Sequence, residues 1–149
     1  MTCERSARGG RVVAERRAVL PAGPEGAGAA RIAARAALSE WGLADLAGDM
    51  ALAASELAAN ACVHGAPPVE LRLALQDRRG GQALVCEVSD AGAAMPGLTA
   101  APPGAEHGRG LAVVTALAEA FGVRPHARGK TVWFRVGVPA PARGRQVAA

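Results

Sequence analysis

The chain has 149 residues, half of them hydrophobic but only 3% aromatic, and it carries a formal net charge of +4. This length favours one domain with a core of Ala, Val and Leu, and no apolar run approaches the roughly 18 residues that span a bilayer. Residues 1–17 and 143–149 carry excesses of three and two positive charges, whereas residues 18–142 carry −1, which disfavours a basic face for nucleic acid.

The first predicted elements are a strand and a helix. The segment "RVVAERRAVL" at residues 11–20 can form a strand that Pro21 interrupts. A helix is expected to start near Pro24, because Pro is tolerated in a first helical turn. The segment "AARIAARAALSEW" repeats apolar residues at helical spacing, and Gly42 marks the end of this helix.

A second helix carries a few polar side chains in an apolar segment. It is expected to open at Asp45 or Asp49 and to run to His64, before "GAPP". Glu56 and Asn60 lie four residues apart, so they share one helical face, and His64 continues this column. A helix that is apolar nearly all round is normally buried, and a buried carboxylate and amide need a hydrogen bond, an ion pair or a ligand.

Two interpretations of this column follow. A capped helix end with a surface stripe would explain it without any function, but the apolar surroundings favour a site. There, Glu56 could orient a hydroxyl or accept its proton. The amide oxygen of Asn60 could ligate Mg²⁺, which prefers oxygen ligands.

A β-hairpin is predicted next. The segments "VELRLALQD" and "QALVCEVSD" alternate apolar and polar residues, and the turn "RRGG" separates them. Asp90 ends the second strand, and Gly92 follows. These two residues can form an ordinary turn, which both residue types favour. Alternatively, the Asp90 carboxylate can accept a hydrogen bond from an exocyclic amine, such as that of adenine, while Gly92 lets the backbone approach the ligand closely.

A long loop and a third helix follow the hairpin. Residues 91–107 are rich in Gly, Ala and Pro without a period, which is typical of a lid, a binding loop or disorder. The segment "GRGLAVVTALAEAFG" predicts a helix opened by Gly108 and Gly110, whose free N–H groups suit phosphate, and Arg109 adds a cation. The alternative is that Gly108 and Gly110 only begin the helix and bind no phosphate. The dinucleotide-binding fingerprint is excluded, because Val113 replaces its third glycine.

The segment "GKTVWFRVGV" predicts the last strand. The preceding "RGKT" does not complete a P-loop, because Arg124 occupies the first glycine position and a strand follows. Lys130 is the only lysine of the chain, and Thr131 could supply a hydroxyl from the strand start. His107 and His126 have no partner at metal-ligand spacing.

We expect a domain at residues 11–138 between a flexible basic N-terminus at 1–10 and a flexible tail at 139–149. One sheet with helices packed on one face suits the order of elements. Three scattered cysteines without metal-ligand spacing, and a charged start without a signal-peptide centre, predict a cytoplasmic protein. Cys62 and Cys86 are expected to be small core residues.

Taken in order, the Glu-x-x-x-Asn helix, the Asp-x-Gly turn, the lid-like loop and the Gly-x-Gly-Leu helix start resemble the GHKL, or histidine-kinase-like, ATPase superfamily. Within it, "WGL … SELAANACVHG … VSDAG … GRGLAVVTALAEAFGV … GKTVWF" is most similar to single-domain anti-sigma-factor serine kinases and actinobacterial ATP-binding regulatory relatives. The resemblance implies an α+β fold, the Bergerat two-layer α/β sandwich. Its sheet would be mixed but mostly antiparallel, covered on one face by about three helices, with ATP under a mobile lid.

The resemblance also implies residue roles. Asn60 would hold the Mg²⁺ that bridges the ATP phosphates, and Glu56 would orient or deprotonate the attacking hydroxyl. Asp90 would bind the adenine amino group, with Gly92 shaping the pocket wall. Further ATP contacts would come from residues near the phosphates and the adenine: Gly108, Arg109, Gly110, Leu111 and Thr131.

The predicted function is that of a protein serine/threonine kinase, which transfers the γ-phosphoryl group of ATP to a serine of a partner, with a sigma factor or an anti-anti-sigma protein as the protein partner. The alternative is a non-catalytic ATP-binding module that controls a regulator by binding. This alternative is considered because Ala94 replaces the last glycine of Asp-x-Gly-x-Gly, and a Cβ there could narrow the adenine pocket or stiffen the lid hinge.

A histidine-kinase fragment is disfavoured, since no dimerisation helix with a phosphoacceptor histidine precedes the domain. No nucleic acid or membrane partner is expected. Formation of a homodimer is a possibility that the sequence does not decide.

Overall fold

The computed structural model describes residues 10–92 and 109–139, without the side chains of residues 109–111. These residues form five strands and three helices in an α+β arrangement. In chain order the elements are β1 (Arg11–Leu20), α1 (Glu25–Glu40), α2 (Ala44–His64), β2 (Val69–Arg78), β3 (Gly81–Asp90), α3 (Arg109–Leu117), β4 (Ala118–His126) and β5 (Gly129–Pro139).

The strands form one open sheet in the order β1-β2-β3-β5-β4, and each described pair is antiparallel. Side chains alternate between the two faces of a sheet. Leu71, Leu73 and Leu75 of β2 therefore share one face, where they join a core cluster with residues from all three helices. This confirms the predicted two-layer sandwich.

Small side chains let the helices pack closely. Alanines dominate the buried faces of α1 and α2, and Val and Leu supply most of the core on the sheet. The Cys86 thiol is fully buried in this core, as predicted, and burial raises its pKa. Cys62 is only partly buried and packs against the core from α2. Neither described cysteine forms a disulfide.

The predicted strand boundaries agree closely with the structure. β1 and the hairpin of β2 and β3 lie where the alternating segments indicated. Pro24 caps α1, and α2 ends at His64 as expected. Local patterning was therefore sufficient for these elements. None of the helices in the described ranges is long and apolar enough to cross a membrane.

The prediction for the third helix was wrong in its second half. α3 ends at Leu117, and Ala118–His126 forms the edge strand β4. Pairing with β5, which places Phe121 beside Phe134, overrides the helical spacing of "ALAEAFG". Pro125 fits this strand, because an edge strand tolerates a residue that cannot donate a backbone hydrogen bond.

Trp133 is the largest fully buried side chain. It alternates with Phe134 and so lies on the sheet face away from the helices, where a Cβ on Gly122 would stand 3.5 Å from the indole nitrogen. Trp133→Ala is expected to lower the free energy of unfolding by about 3–5 kcal/mol. Urea unfolding followed by circular dichroism measures this. The exposed Ile32→Ala on α1 is the control and should change stability by less than about 0.5 kcal/mol; similar losses for both variants would contradict the packing described.

Candidate functional site

Three element ends meet on the helical side of the sheet. They are the end of α2, the end of β3 and the start of β5, where Asp90 pairs in register with Lys130. Both side chains are buried, with side-chain exposures of 1% for Asp90 and 5% for Lys130. The antiparallel register of β3 and β5 thus creates a buried ion pair beside the end of α2.

The two oxygens of the Asp90 carboxylate have different surroundings. Its Oδ1 accepts hydrogen bonds from Lys130 Nζ at 2.9 Å and from the Gly92 N–H at 2.7 Å, with a longer one from the Ala66 N–H at 3.4 Å. Its Oδ2 is buried and has no hydrogen-bond partner among the described residues. An unsatisfied buried acceptor costs about 1–3 kcal/mol, so this atom is suited to a ligand that donates a hydrogen bond.

Three glycines approach Asp90 more closely than any other residue type could. A Cβ on Gly92 would stand 2.9 Å from Oδ1, a Cβ on Gly65 would overlap the Asp90 carboxyl carbon, and one on Gly129 would overlap the Asp90 carbonyl oxygen. The sequence analysis identified Gly92 alone. Gly65 was interpreted only as part of a helix stop, and nothing local in the sequence marks Gly129 as a neighbour of Asp90.

Glu56 and Asn60 lie one turn apart on α2, as predicted, but they are only partly buried. The buried side of α2 consists mainly of small apolar residues. The opposite side is open, since His64 is exposed and Val63 is 68% exposed. The expectation of a helix buried nearly all round was therefore wrong. The side chains of Glu56 and Asn60 therefore lie at the edge of the core, where they are partly exposed.

Arg109, Gly110 and Leu111 form the first turn of α3, in agreement with a helix that begins at the glycine-rich segment. α3 packs against α2, the helix that carries Glu56 and Asn60. Gly108 and Ala94 lie outside the described residues, as does most of the predicted loop at 91–107.

Thr131 lies on the other face of the sheet. Its hydroxyl is 2.7 Å from Ser89 Oγ and 3.3 Å from His126 Nε2. Successive strand residues point to opposite faces, so the structure brings Lys130, and not the Thr131 hydroxyl, to Asp90. The sequence analysis noted Lys130 without a role, because only the pairing of β3 with β5 shows its partner.

Cys62 borders the same region from α2. Burial, followed by the nearby Asp90 carboxylate, raises the pKa of the Cys62 thiol. The thiol lies 3.7 Å from the Pro21 carbonyl oxygen. Burial and the Asp90 carboxylate thus both disfavour the thiolate form of Cys62.

A cleft of about 540 Å³ lies on the sheet face away from the helices. Three arginines line it, but each is already paired: Arg17 with Glu15, and both Arg72 and Arg124 with Glu87, at 2.7 and 3.1 Å for the latter two. Hydrogen bonds from Arg17, with help from Arg72, also hold the pKa of Glu15 below its ordinary value. Among the described residues, this cleft therefore offers an anionic ligand no arginine that lacks an ion pair, and the Asp90 region is the better candidate.

A family model described as a histidine kinase-like ATPase domain matches residues 20–136. The match includes α2, the Asp90 turn and the start of β5. No curated protein matches the chain.

Proposed function

The chain belongs to the family of histidine kinase-like ATPase domains, which makes it an ATP-binding module, and from this we propose that it is a regulatory protein serine/threonine kinase. It would transfer the γ-phosphoryl group of ATP to a serine of a partner, a sigma factor or an anti-anti-sigma protein. The observation that carries the proposal is the buried Oδ2 of Asp90, which has no hydrogen-bond partner among the described residues and lies beside the helix that carries Glu56 and Asn60.

The adenine end of the nucleotide would lie at Asp90. The exocyclic amine of adenine is a hydrogen-bond donor, and Oδ2 is an acceptor that lacks one among the described residues. Gly65 and Gly92 let the backbone approach the other carboxylate oxygen, Oδ1, closely, since a Cβ on either glycine would lie within 2.9 Å of it. A complementary donor would remove the cost of the unsatisfied atom and so favour binding.

The phosphates would extend toward Asn60 and the first turn of α3. The amide oxygen of Asn60 suits Mg²⁺, which prefers oxygen ligands and retains several waters. No group of three His, Cys, Asp or Glu side chains within 10–92 and 109–139 could hold a metal, so the other ligands would be phosphate and water oxygens. When bound, Mg²⁺ neutralises charge on the phosphates.

Glu56 would act on the attacking hydroxyl. One helical turn from Asn60, its carboxylate would orient the serine hydroxyl of the partner or accept its proton. The serine oxygen would bond to the γ-phosphorus while the bond to the β,γ-bridging oxygen breaks and ADP leaves. Catalysis would come mainly from positioning and charge neutralisation.

The test combines calorimetry with Mg·ATP and a transfer assay with radiolabelled ATP and candidate partner proteins. We expect binding, together with label on a serine of one partner. Binding without transfer to any partner or hydrolysis would favour the non-catalytic module, which Ala94 motivates. Failure to bind ATP would overturn the proposed site altogether. A cytoplasmic location and a homodimer stay predictions.

Asn60→Ala is expected to reduce the affinity for Mg·ATP at least tenfold and to remove most of its dependence on Mg²⁺, because a metal ligand is lost. Titrations with and without Mg²⁺ measure this. Val63→Ala, an exposed change on the same helix, is the control. An Asn60→Ala protein that keeps the full Mg²⁺ dependence would contradict the metal role.

A further inference from the structure

Strand β1 has an edge that no strand in the described part of the chain covers. The sheet order is β1-β2-β3-β5-β4, so β1 pairs only with β2 there. The backbone N–H and C=O groups along such an edge can pair with another strand. β4, at the other edge of the sheet, contains Pro125, which cannot donate a backbone hydrogen bond. β1 contains no proline and is therefore the edge better suited to pairing.

The usable part of this edge is short and well bounded. The register of β1 with β2 shifts between Val12 and Ala14, and Pro21 follows the strand. Residues 14–20 therefore form the regular part of the edge. Val19 within this part is 69% exposed, an apolar side chain that a partner strand would cover.

The side chains of this segment are complementary to a second copy of the same segment. In an antiparallel pair of identical strands, a residue before the two-fold axis faces the residue equally far after it. With Arg16 on the axis, Glu15 of each copy faces Arg17 of the other. Ala14 then faces Ala18, so that no large side chain obstructs the pair.

Arg16 meets its own copy in this register, but each Arg16 brings a counter-charge. It forms an ion pair with Glu40 of α1 at 3.0 Å. Moving the axis by one residue, to Glu15 or to Arg17, would set like charges on the axis and leave no glutamate opposite an arginine. Like charges directly opposite each other destabilise a strand pair, whereas opposite charges stabilise it. The register centred on Arg16 is therefore favoured over its two neighbours.

We propose that β1 is a dimerisation edge, which pairs antiparallel with β1 of a second copy about Arg16 and joins the two sheets into one. Val13 and Val19, with exposures of 43% and 69%, face each other across this pair. The dimer forms with or without ATP, because Asp90 lies on β3, two strands away from this edge. The inference is thus independent of the proposed function.

Cysteine cross-linking of the full chain tests the register. Directly opposite residues of an antiparallel pair have Cα atoms about 4.5–5.5 Å apart, within the range of roughly 4.4–6.8 Å that a disulfide spans. Arg16→Cys, in a chain that also carries Cys3→Ser, should therefore form a disulfide with its own copy under mild oxidation. The chain with Cys3→Ser alone gives the background.

Val19→Cys in the same background is the matched control. Its two copies would be separated by six residues along the strands, or about 20 Å at roughly 3.3 Å per residue. This variant should remain a monomer on a non-reducing gel. No cross-link in Arg16→Cys, or equal cross-linking of the two variants, would overturn the proposal.

Charge reversal tests the pairing without any covalent bond. Sedimentation equilibrium of the parent chain should show a monomer that becomes a dimer as its concentration is raised. Arg17→Glu and Glu15→Arg should each weaken the dimer about tenfold or more, because like charges then face each other. An equimolar mixture of the two variants should associate again, since every glutamate then faces an arginine.

Arg128→Glu is the control for the change in net charge. Arg128 is exposed in the turn between β4 and β5, on the far side of the sheet from β1, so this variant should dimerise like the parent. A parent chain that is monomeric at every concentration would overturn the proposal, and so would a mixture that associates no better than either variant alone. If Glu15→Arg does not fold, the cross-linking of Arg16→Cys decides the matter.

Discussion

Glu56→Gln is expected to slow phosphoryl transfer to the partner serine by about 10²–10⁴-fold while leaving the affinity for Mg·ATP nearly unchanged. The amide keeps the size of the side chain but cannot take the proton of the attacking hydroxyl. Glu56 is partly buried on α2, one turn from Asn60. In the proposed function, Glu56 would serve the chemistry and Asn60 would bind the metal. Single-turnover transfer from radiolabelled ATP, with calorimetry alongside, measures both quantities.

The matched control for this substitution is Glu70→Gln. Glu70 is an exposed glutamate of β2 on the face away from the helices, so its loss should leave both rate and affinity as they are. Equal transfer rates for Glu56→Gln and the parent protein would contradict the proposed role of Glu56 as the group that accepts the hydroxyl proton. A parallel fall in rate and affinity would show that Glu56 binds nucleotide instead of acting on the hydroxyl.

Gly65→Ala is expected to reduce the affinity for ATP about 100-fold with little change in secondary structure. A Cβ at this position would overlap the Asp90 carboxyl carbon and crowd the Ala61 carbonyl oxygen. Either Asp90 or the end of α2 must then move, and a displacement of about 1 Å in a binding group can cost about 10²-fold. Calorimetry with Mg·ATP measures the loss, and circular dichroism monitors the fold.

Gly48→Ala provides the comparison within the same helix. Nothing lies within 4 Å of a Cβ at Gly48, and alanine in a helix interior stabilises by roughly 0.5–1 kcal/mol relative to glycine. This variant should bind ATP like the parent and unfold at a slightly higher temperature. Wild-type affinity in Gly65→Ala would show that Asp90 does not position the nucleotide.

The family match supports the combination of motifs that the sequence analysis assembled. Each motif had a plausible interpretation without function, and their order along the chain carried the assignment. The Glu56 and Asn60 spacing and the Asp90 and Gly92 turn are local features, visible in a few consecutive residues. Their roles in catalysis and binding remain predictions that the substitutions above test.

The sequence by itself determined most of the elements. Alternating polarity in strands, apolar residues at helical spacing, and Gly or Pro at the ends of elements are all signals that act within about ten residues. It therefore gave correct ends for β1 and α2, and it placed Asp90 at the end of a strand. Local spacing failed at Ala118–His126, where pairing with β5 produced a strand in place of a helix.

Only the tertiary structure decided what surrounds Asp90. Lys130 and Gly129 reach it through the antiparallel register of β3 and β5, which joins residues forty positions apart. The same register turns the Thr131 side chain to the opposite face. Gly65 meets Asp90 because α2 packs across the end of the sheet. Register and packing depend on contacts between distant segments, and a one-residue change in pairing reverses every side chain of a strand.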